Sequence, residues 1–170
     1  GNMTGFFMRK YLNESMPQPE VVENYSEQHW IEFRYAEALL NGVEAAVEMG
    51  QHLDDALLWI NDIRKRADIK LLAQDDLTVD RVRHERRIEL AFENHTYWDL
   101  RRWRIADKEI EAKQYTALYP YFDINKQKYV YEEANANKYY YTFHTKMYYE
   151  RIPDGEIAKN EKLIQNPYYN

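Results

Sequence analysis

The stretch ERRIELAFENHTYWDLRRW, residues 85–103, alternates arginine with glutamate and ends in aromatic and basic residues. Thr78 can cap a helix with its side-chain oxygen, so a helix is predicted from Thr78 to about His95. A further helix is predicted from Tyr97 to Ile110. The charged residues are expected to form guanidinium–carboxylate forks that clamp two adjacent helices together. Seven arginines and five acids take part: Arg81, Arg83, Arg86, Arg87, Arg101, Arg102 and Arg104, with Asp80, Glu85, Glu89, Glu93 and Asp99.

Glu85, Glu89 and Glu93 follow one another at steps of four, which places their carboxylates on one helix face. Paired carboxylates can serve as acid and base in glycoside hydrolysis. Because so many arginines lie nearby, ion pairing without a raised pKa is the preferred interpretation, and no catalytic residue is assigned. The five histidines lack the spacing of metal ligands, so no metal site and no cofactor are expected. Asp123-Ile124-Asn125 is interpreted as a turn and not as a calcium loop.

Upstream, helical periodicity runs from Gln28 to Met49 and resumes over Leu53–Ala67, with Gly50 as the break. The first helix is predicted to bury one stripe (Ile31, Tyr35, Leu39, Gly42 and Ala46) and to expose another (Arg34, Glu37, Asn41, Glu44 and Glu48). Two helices joined by about three residues form an antiparallel hairpin, and the small residues of the first allow close approach. One hairpin cannot bury both of its faces, so neighbours outside this sequence are expected.

Most of the 16 tyrosines lie after Tyr115. Lys128–Tyr131 and Tyr139–Phe143 are predicted to be two strands of a hairpin, with Asn135-Ala136-Asn137 between them. The tail from Ile152 is predicted to be a loop. Tyrosine-rich segments of this kind are typical of half-hydrated interfaces or polar-ligand grooves, or else of a small β region packed with rings. Both interpretations remain open at this point.

Composition excludes several classes of function. The net charge of −6 argues against nucleic acid as the main partner. The absence of cysteine excludes disulfides, thiol nucleophiles and thiolate metal sites. No apolar run approaches the ~18 residues that a membrane span needs, and no signal segment opens the chain. The first residues read like the middle of a domain, so the chain is expected to be a piece of a longer protein.

Three sets of motifs strongly resemble, in this order, the carboxy-terminal half of the SusD/RagB family. They are FRYAEALL (33–40) with INDIRKRA (60–67), ERRIELAFE (85–93) running to YWDLRRW (97–103), and IP (152–153) with EI (156–157), closing in LIQNP (163–167). The opening TGFFMRKY (4–11) fits the segment that precedes them. The resemblance covers nearly the whole chain, and its second set is the most specific. One departure is Tyr168, since glycine commonly follows this proline in the family.

The resemblance implies a mainly α, SusD-like fold: a tetratricopeptide-like helical hairpin at 28–67, Arg/Glu-rich helices at 78–110 and a Tyr-rich irregular or β-hairpin region at 119–170. Residues 1–170 would be the carboxy-terminal part of that domain. The family consists of non-catalytic outer-membrane lipoproteins, exposed at the cell surface. They hold an oligosaccharide, or in some members a peptide, over a TonB-dependent, SusC-like transporter. The lipid anchor would lie on the remaining amino-terminal part of the protein, which would also be a packing partner.

The resemblance assigns no ligand-binding residue, because the family's ligand contacts come largely from loops outside the part that this chain resembles. The motifs that identify the family are scaffold, so Trp98 and Trp103 are expected in the core, and nothing selects among the tyrosines after Tyr119. A helical-repeat adaptor that binds a peptide or protein remains the alternative function, since a helical hairpin with an acidic face also suits that role. A glycoside-cleaving enzyme is the third.

Overall fold

The structure is a computed structural model that describes residues 6–23, 25–136 and 139–169. These residues form six α-helices and one two-stranded sheet: α1 Tyr35–Met49, α2 Leu53–Arg66, α3 Val79–Glu89, α4 His95–Arg102, α5 Ala106–Ile110, β1 Thr116–Asp123, β2 Lys128–Asn135 and α6 Asp154–Lys159. Short 3₁₀ turns lie at Gln18–Glu20, Gln74–Asp76 and Thr145–Tyr148. The chain divides into two compact units, residues 9–96 and residues 97–169 with 6–8. No helix of the described ranges is long and apolar enough to cross a bilayer.

In the first unit, α1 and α2 pack as the predicted hairpin. Gly50 ends α1 in the left-handed conformation, with φ of 65° and its N–H donating to helix carbonyls, as predicted. A side chain at Gly42 would place its Cβ 2.9 Å from Trp59 Cζ3, so this glycine does permit the close approach of the two helices. The predicted start at Gln28 is wrong, since α1 begins at Tyr35. Arg34 is extended at the cap position, which frees its side chain for the ion pairs described below.

The predicted faces of α1 are only partly correct. Ala46 is buried as predicted, but Tyr35 is 76% exposed, and the other buried apolar positions are Ala36, Leu40 and Val43. Glu44, which was expected in solvent, is buried as well. The predicted polar stripe does not simply face water, because α3 packs against α1. Arg86 and Arg83 of α3 contact Asn41 and Glu48 of α1. Polar residues of α1 therefore face a neighbouring helix.

Two apolar clusters hold this unit together. The larger joins Val43 and Ala46 of α1 to Ala56 and Ile60 of α2 and to Val82 of α3. The smaller consists of Ala36, Leu40, Ile63 and Leu90. Thr78 caps α3 as predicted, its hydroxyl accepting from the Arg81 N–H at 3.2 Å. Helix α3 ends at Glu89, earlier than the predicted His95.

In the second unit, the single helix predicted for residues 97–110 is two helices, α4 and α5. Arg104 separates them in a left-handed conformation, with φ of 55°. The N–H of Arg104 donates to Arg101 O and that of Ile105 to Leu100 O, the pattern of a Schellman C-cap. Leu100, Ala106 and Phe143 form the core of this unit.

The sheet of this unit consists of β1 and β2, paired antiparallel with Pro120 opposite Tyr131. The predicted partner of Lys128–Tyr131 was wrong, because residues 139–143 are not a strand. Strand β1 was not predicted because it contains Pro120, and proline argues against a strand in the middle of a sheet. Both strands of a two-stranded sheet are edge strands, where proline is tolerated. Asn135 and Ala136 form the end of β2 and a bend, and Asn137 lies outside the described residues. The tail predicted to be a loop contains α6.

The turn predicted at Asp123-Ile124-Asn125 is confirmed, since Asp123 Oδ1 accepts from the backbone N–H groups of Asn125 and Lys126, each at 3.0 Å. The hydrogen bond from the Lys126 backbone N–H, followed by that from the Lys126 side chain, is the main reason that the pKa of Asp123 is below its usual value. Every described residue of β2 is exposed. The exposure of β2 fits half-hydrated surfaces, and ring packing in this region includes the contact of Phe122 in β1 with Tyr129 in β2, whose centroids are 5.3 Å apart.

Candidate functional site

The three glutamates considered for catalysis are engaged in ion pairs in the first unit. The Glu93 carboxylate is 1% exposed and receives Arg34 Nε at 2.8 Å and Lys10 Nζ at 2.5 Å. Glu89 accepts from Arg34 Nη1 at 2.6 Å and from Arg66 Nη2 at 2.6 Å. Glu85 is paired with Arg64. The expectation of ion pairing is confirmed.

Burial alone raises the pKa of Glu93, but the hydrogen bonds from Arg34 and Lys10 outweigh it, so the pKa of this carboxyl lies below its usual value. A general acid needs the opposite shift, as a glycosidase acid has a raised pKa. The pKa of Arg34 is raised in turn, chiefly by its hydrogen bond to Glu93. The cluster thus fixes the segment around Lys10 and the start of α1 to the chain that follows α3.

Arginines of α3 hold an adjacent helix, as predicted, with one carboxylate and one amide as the acceptors. Arg83 Nη2 lies 3.0 Å from Glu48 Oε1, and Arg86 Nη1 donates to Asn41 Oδ1 at 2.7 Å. Both contacts run from α3 to α1. These side chains are scaffold.

A different arrangement surrounds the arginines after α3. In the second unit a groove of ≈ 550 Å³ is lined by three arginines and three aromatic side chains: Trp98, Arg101, Arg102, Arg104, Tyr148 and Tyr149. We call it the Trp98 groove. Its volume lies within the range of small-molecule sites, and its mixture of flat rings and a few polar groups is typical of them.

Aromatic rings hold two of the guanidinium groups in the groove. Arg101 Cζ lies 3.4 Å from the centroid of the Tyr97 ring, and its Nη1 donates to Tyr97 O at 3.0 Å. Arg104 Cζ lies 4.8 Å from the Tyr148 ring and 4.7 Å from the Tyr149 ring, and its Nη2 donates to the Tyr149 hydroxyl. Within residues 6–23, 25–136 and 139–169, neither arginine forms an ion pair with a carboxylate. For these two positions the prediction of carboxylate forks is wrong.

Two other polar groups of the groove, on Arg102 and Tyr148, bind acids that are not among its lining residues. Arg102 Nε donates to Asp99 Oδ1 at 2.8 Å, within one turn of α4. The Tyr148 hydroxyl donates to Asp107 Oδ1 at 2.5 Å, a hydrogen bond that holds the pKa of Asp107 below its usual value. Burial, followed by the same hydrogen bond, raises the pKa of Tyr148. Tyr148 is therefore a fixed, protonated wall of the groove at neutral pH.

Trp98 was expected in the core, and that expectation is wrong, because its side chain is 64% exposed. Helix α4 turns Asp99 and Leu100 inward, and the adjacent position therefore points outward. Its ring meets Tyr97 edge to face at 82°, with centroids 4.9 Å apart. Trp103 is half-buried and lies under the Arg102 guanidinium, with Cζ 4.8 Å from the ring.

Sequence analysis missed the groove because its two halves, residues 98–104 and 148–149, are far apart in the chain. The available signal was the group of three arginines in YWDLRRWR (97–104), a segment in which Asp99 is the one acid. In the part of the chain that the structure describes, no three His, Asp or Glu side chains are grouped to hold a metal ion.

Comparisons with known proteins agree on one family. The model of the SusD family, SusD_RagB, matches residues 1–169. The SusD-like protein P2 of Formosa agariphila is 27% identical over 151 residues, which are 83% of this chain and 26% of that protein. A SusD-like protein from Bacteroides fragilis has a TM-score of 0.65 and 31% identity, covering 86% of this chain and 27% of its own.

A SusD superfamily protein from Parabacteroides distasonis has a TM-score of 0.55 at 23% identity and covers 87% of this chain and 29% of its own, a likeness of fold alone. The chain thus spans about a quarter of the length of the relatives it matches, between 24% and 29%. The mainly helical fold with a small sheet is SusD-like, as expected from the sequence.

Proposed function

Because this chain belongs to the SusD family, we propose that it is the carboxy-terminal part of a protein that binds oligosaccharide at the bacterial surface without cleaving it. The observation that carries this proposal is the match of the family model over residues 1–169. The protein would pass its ligand to a TonB-dependent, SusC-like transporter in the outer membrane. A lipid anchor on the preceding part of the chain would hold it there.

The state of the glutamates supports binding over hydrolysis. A glycosidase needs one protonated and one free carboxyl group beside the scissile bond. Glu85, Glu89 and Glu93 are each bound by one or more cations, and the pKa of Glu93 is lowered. Their carboxylates connect α3 and the turn that follows it to α2, to the start of α1 and to Lys10.

Exposed apolar side chains support the view that a further part of the protein packs against the first unit. Tyr35 of α1, Leu58 of α2 and Ile88 of α3 are all more than half exposed, as is Phe92 in the turn after α3. Scattered apolar residues are normal on surfaces, but one helical hairpin requires neighbours to bury its second face. The amino-terminal part of the same protein is the proposed neighbour.

The proposal is tested with the intact protein on a glycan array, followed by an assay for new reducing ends with each glycan that binds. We expect saturable binding of an oligosaccharide and no release of reducing ends. Purification from outer membranes through a tag on this protein should bring a TonB-dependent transporter with it.

Binding of a soluble protein or peptide with no response to any glycan would contradict the proposal and favour the adaptor. Release of reducing ends by the purified protein would contradict its non-catalytic half.

A further inference from the structure

We propose that one face of the β1–β2 hairpin is an internal interface, which the amino-terminal part of the same protein covers when the protein is intact. The face carries Pro120 and Phe122 of β1 with Tyr129 and Tyr131 of β2, and we call it the Tyr131 face. The inference rests on one half of the proposed function, namely that this chain is the carboxy-terminal part of a longer protein. It does not depend on the ligand that the protein binds.

The register of the hairpin defines its two faces. Residues directly opposite each other in an antiparallel pair point to the same side of the sheet, and successive rows alternate between the two sides. Phe122 stands opposite Tyr129, and Pro120 stands opposite Tyr131, so these four side chains share one face. The rings of Phe122 and Tyr129 meet edge to face, with centroids 5.3 Å apart, as neighbours on one face do.

The distribution of charge distinguishes the two faces. On the opposite face an apolar row lies between two rows that contain charges, in the order Asp123 with Lys128, Tyr121 with Val130, and Tyr119 with Glu132. On the Tyr131 face the two rows nearest the turn carry no charge, and the first carboxylate is Glu133, opposite Leu118 in the next row. Removing an ionised side chain from water costs free energy, whereas burying a ring is favourable. The Tyr131 face can therefore be covered as far as Glu133, while the charges keep the opposite face in water.

The Tyr131 face lacks a cover within the second unit. Phe122, Tyr129 and Tyr131 are all exposed there. A two-stranded hairpin is at best marginally stable in water unless its apolar face packs on another element. A contiguous patch of exposed rings is also typical of an interface. The hairpin thus requires an apolar layer that the described residues of this unit do not complete.

The course of the chain identifies the amino-terminal part as that layer. Phe6, the first residue that the structure describes, belongs to the same unit and lies against Tyr131, with ring centroids 5.9 Å apart. The relatives are about four times as long as this chain, so the proposed amino-terminal part is large, and only five residues separate it from Phe6. A segment tethered so close has a high effective concentration at the Tyr131 face, which favours it over a separate molecule.

The test is hydroxyl-radical footprinting of the intact protein, read by mass spectrometry of the oxidised peptides. Tyr131 and Tyr121 are a matched pair, because they are the same residue type, lie in adjacent rows on opposite faces, and are 52% and 54% exposed in this chain. We expect Tyr131 to be oxidised about fivefold or more slowly than Tyr121, because a cover removes most of its reactive surface. Tyr129 should be protected as Tyr131 is.

Two substitutions in the intact protein supply an independent measurement. Tyr131→Ser should lower the temperature of thermal unfolding by several degrees, because it leaves a cavity in a covered apolar layer. Tyr121→Ser is the control on the hydrated face and should have little effect. If Tyr131→Ser does not fold, the footprint of the wild type still decides between the two outcomes.

Equal oxidation of Tyr131 and Tyr121, whether both are fast or both are slow, would overturn the inference. Protection of Tyr131 that disappears on dilution would overturn it in favour of a second copy of the protein. Protection that requires an added outer-membrane transporter would assign the face to that partner instead. None of these results bears on glycan binding, so the inference can fail while the proposed binding stands. A glycan array without any bound glycan would, in turn, leave the expected footprint unchanged.

Discussion

Substituting Glu93 by Gln tests whether the buried ion-pair cluster is scaffold. The substitution preserves the shape of the side chain and removes the charge that Arg34 and Lys10 share. In the structure the carboxylate accepts from Arg34 Nε at 2.8 Å, Arg34 Nη2 at 2.9 Å and Lys10 Nζ at 2.5 Å. A glutamine amide replaces one of the two acceptor oxygens with an NH₂ group that faces these donors.

The expected loss of stability depends on which hydrogen-bond acceptors Arg34 and Lys10 retain in the variant. Arg34 retains its contact to Glu89, and Lys10 retains the backbone carbonyls of Glu89 and Ala91 at 3.1 and 2.7 Å. Removing one partner of a buried charge cluster costs ~3–5 kcal/mol when nothing else remains for the other, and a charge-assisted hydrogen bond contributes ~1.5–3 kcal/mol. We expect Glu93→Gln to lower the free energy of unfolding by about 2–4 kcal/mol at pH 7.

The same variant carries a pH signature. The pKa of Glu93 is depressed in the folded state. Its contribution to the free energy of unfolding is therefore complete above the ordinary glutamate pKa of about 4.3, and it is lost as the pH falls through the lower pKa of the folded state. Urea unfolding of wild type and variant, followed by fluorescence, should show the largest gap at neutral pH. The gap should narrow below about pH 4.

Glu133→Gln is the control, since Glu133 is an exposed acid on β2. It should change the free energy of unfolding by no more than about 0.5 kcal/mol at any of these pH values. A Glu93→Gln protein as stable as the wild type, or a gap independent of pH, would refute the account of this cluster.

Two further substitutions test the packing of the hairpin. Gly42→Val should lower the unfolding free energy by about 1–3 kcal/mol, because its Cβ would stand 2.9 Å from Trp59 Cζ3. Gly155→Val is the control, because no atom lies within 4 Å of the added Cβ, and it should have little effect. Both variants are measured by thermal unfolding, and equal losses of stability would contradict the close approach of α1 and α2. Asn61→Ala should cost about 2–3 kcal/mol by urea unfolding, since Asn61 donates to Leu72 O at 3.0 Å and accepts from Leu72 N at 2.8 Å. An unchanged urea midpoint would contradict this expectation, because it would show that water or another group binds the N–H and carbonyl of Leu72.

Local signals in the sequence were sufficient to predict several elements. Gly50 and Thr78 mark a helix end and a helix start through hydrogen bonds that involve only nearby residues, and both predictions are confirmed. The pairing of Glu85, Glu89 and Glu93 followed from the excess of arginines around them. These inferences needed no knowledge of which elements are neighbours in space.

The wrong predictions depended on such neighbours. The polar stripe of α1 was predicted to face water, but α3 packs against α1 and its arginines contact Asn41 and Glu48 of that stripe. Pairing of β2 with β1 was not foreseen, because Pro120 argues against a strand unless the strand lies at an edge. The Trp98 groove requires residues 98–104 and 148–149 to meet, which no local pattern encodes.

The central claim is that the protein captures a glycan and releases it unchanged. A single calorimetric experiment addresses it, in which the intact protein is titrated with the oligosaccharide that scores highest on a glycan array. Simple binding predicts heat that falls to zero at saturation, with the oligosaccharide recovered at its original length. A sustained heat flow after each injection, with shorter products in the cell, would identify a hydrolase and contradict the account.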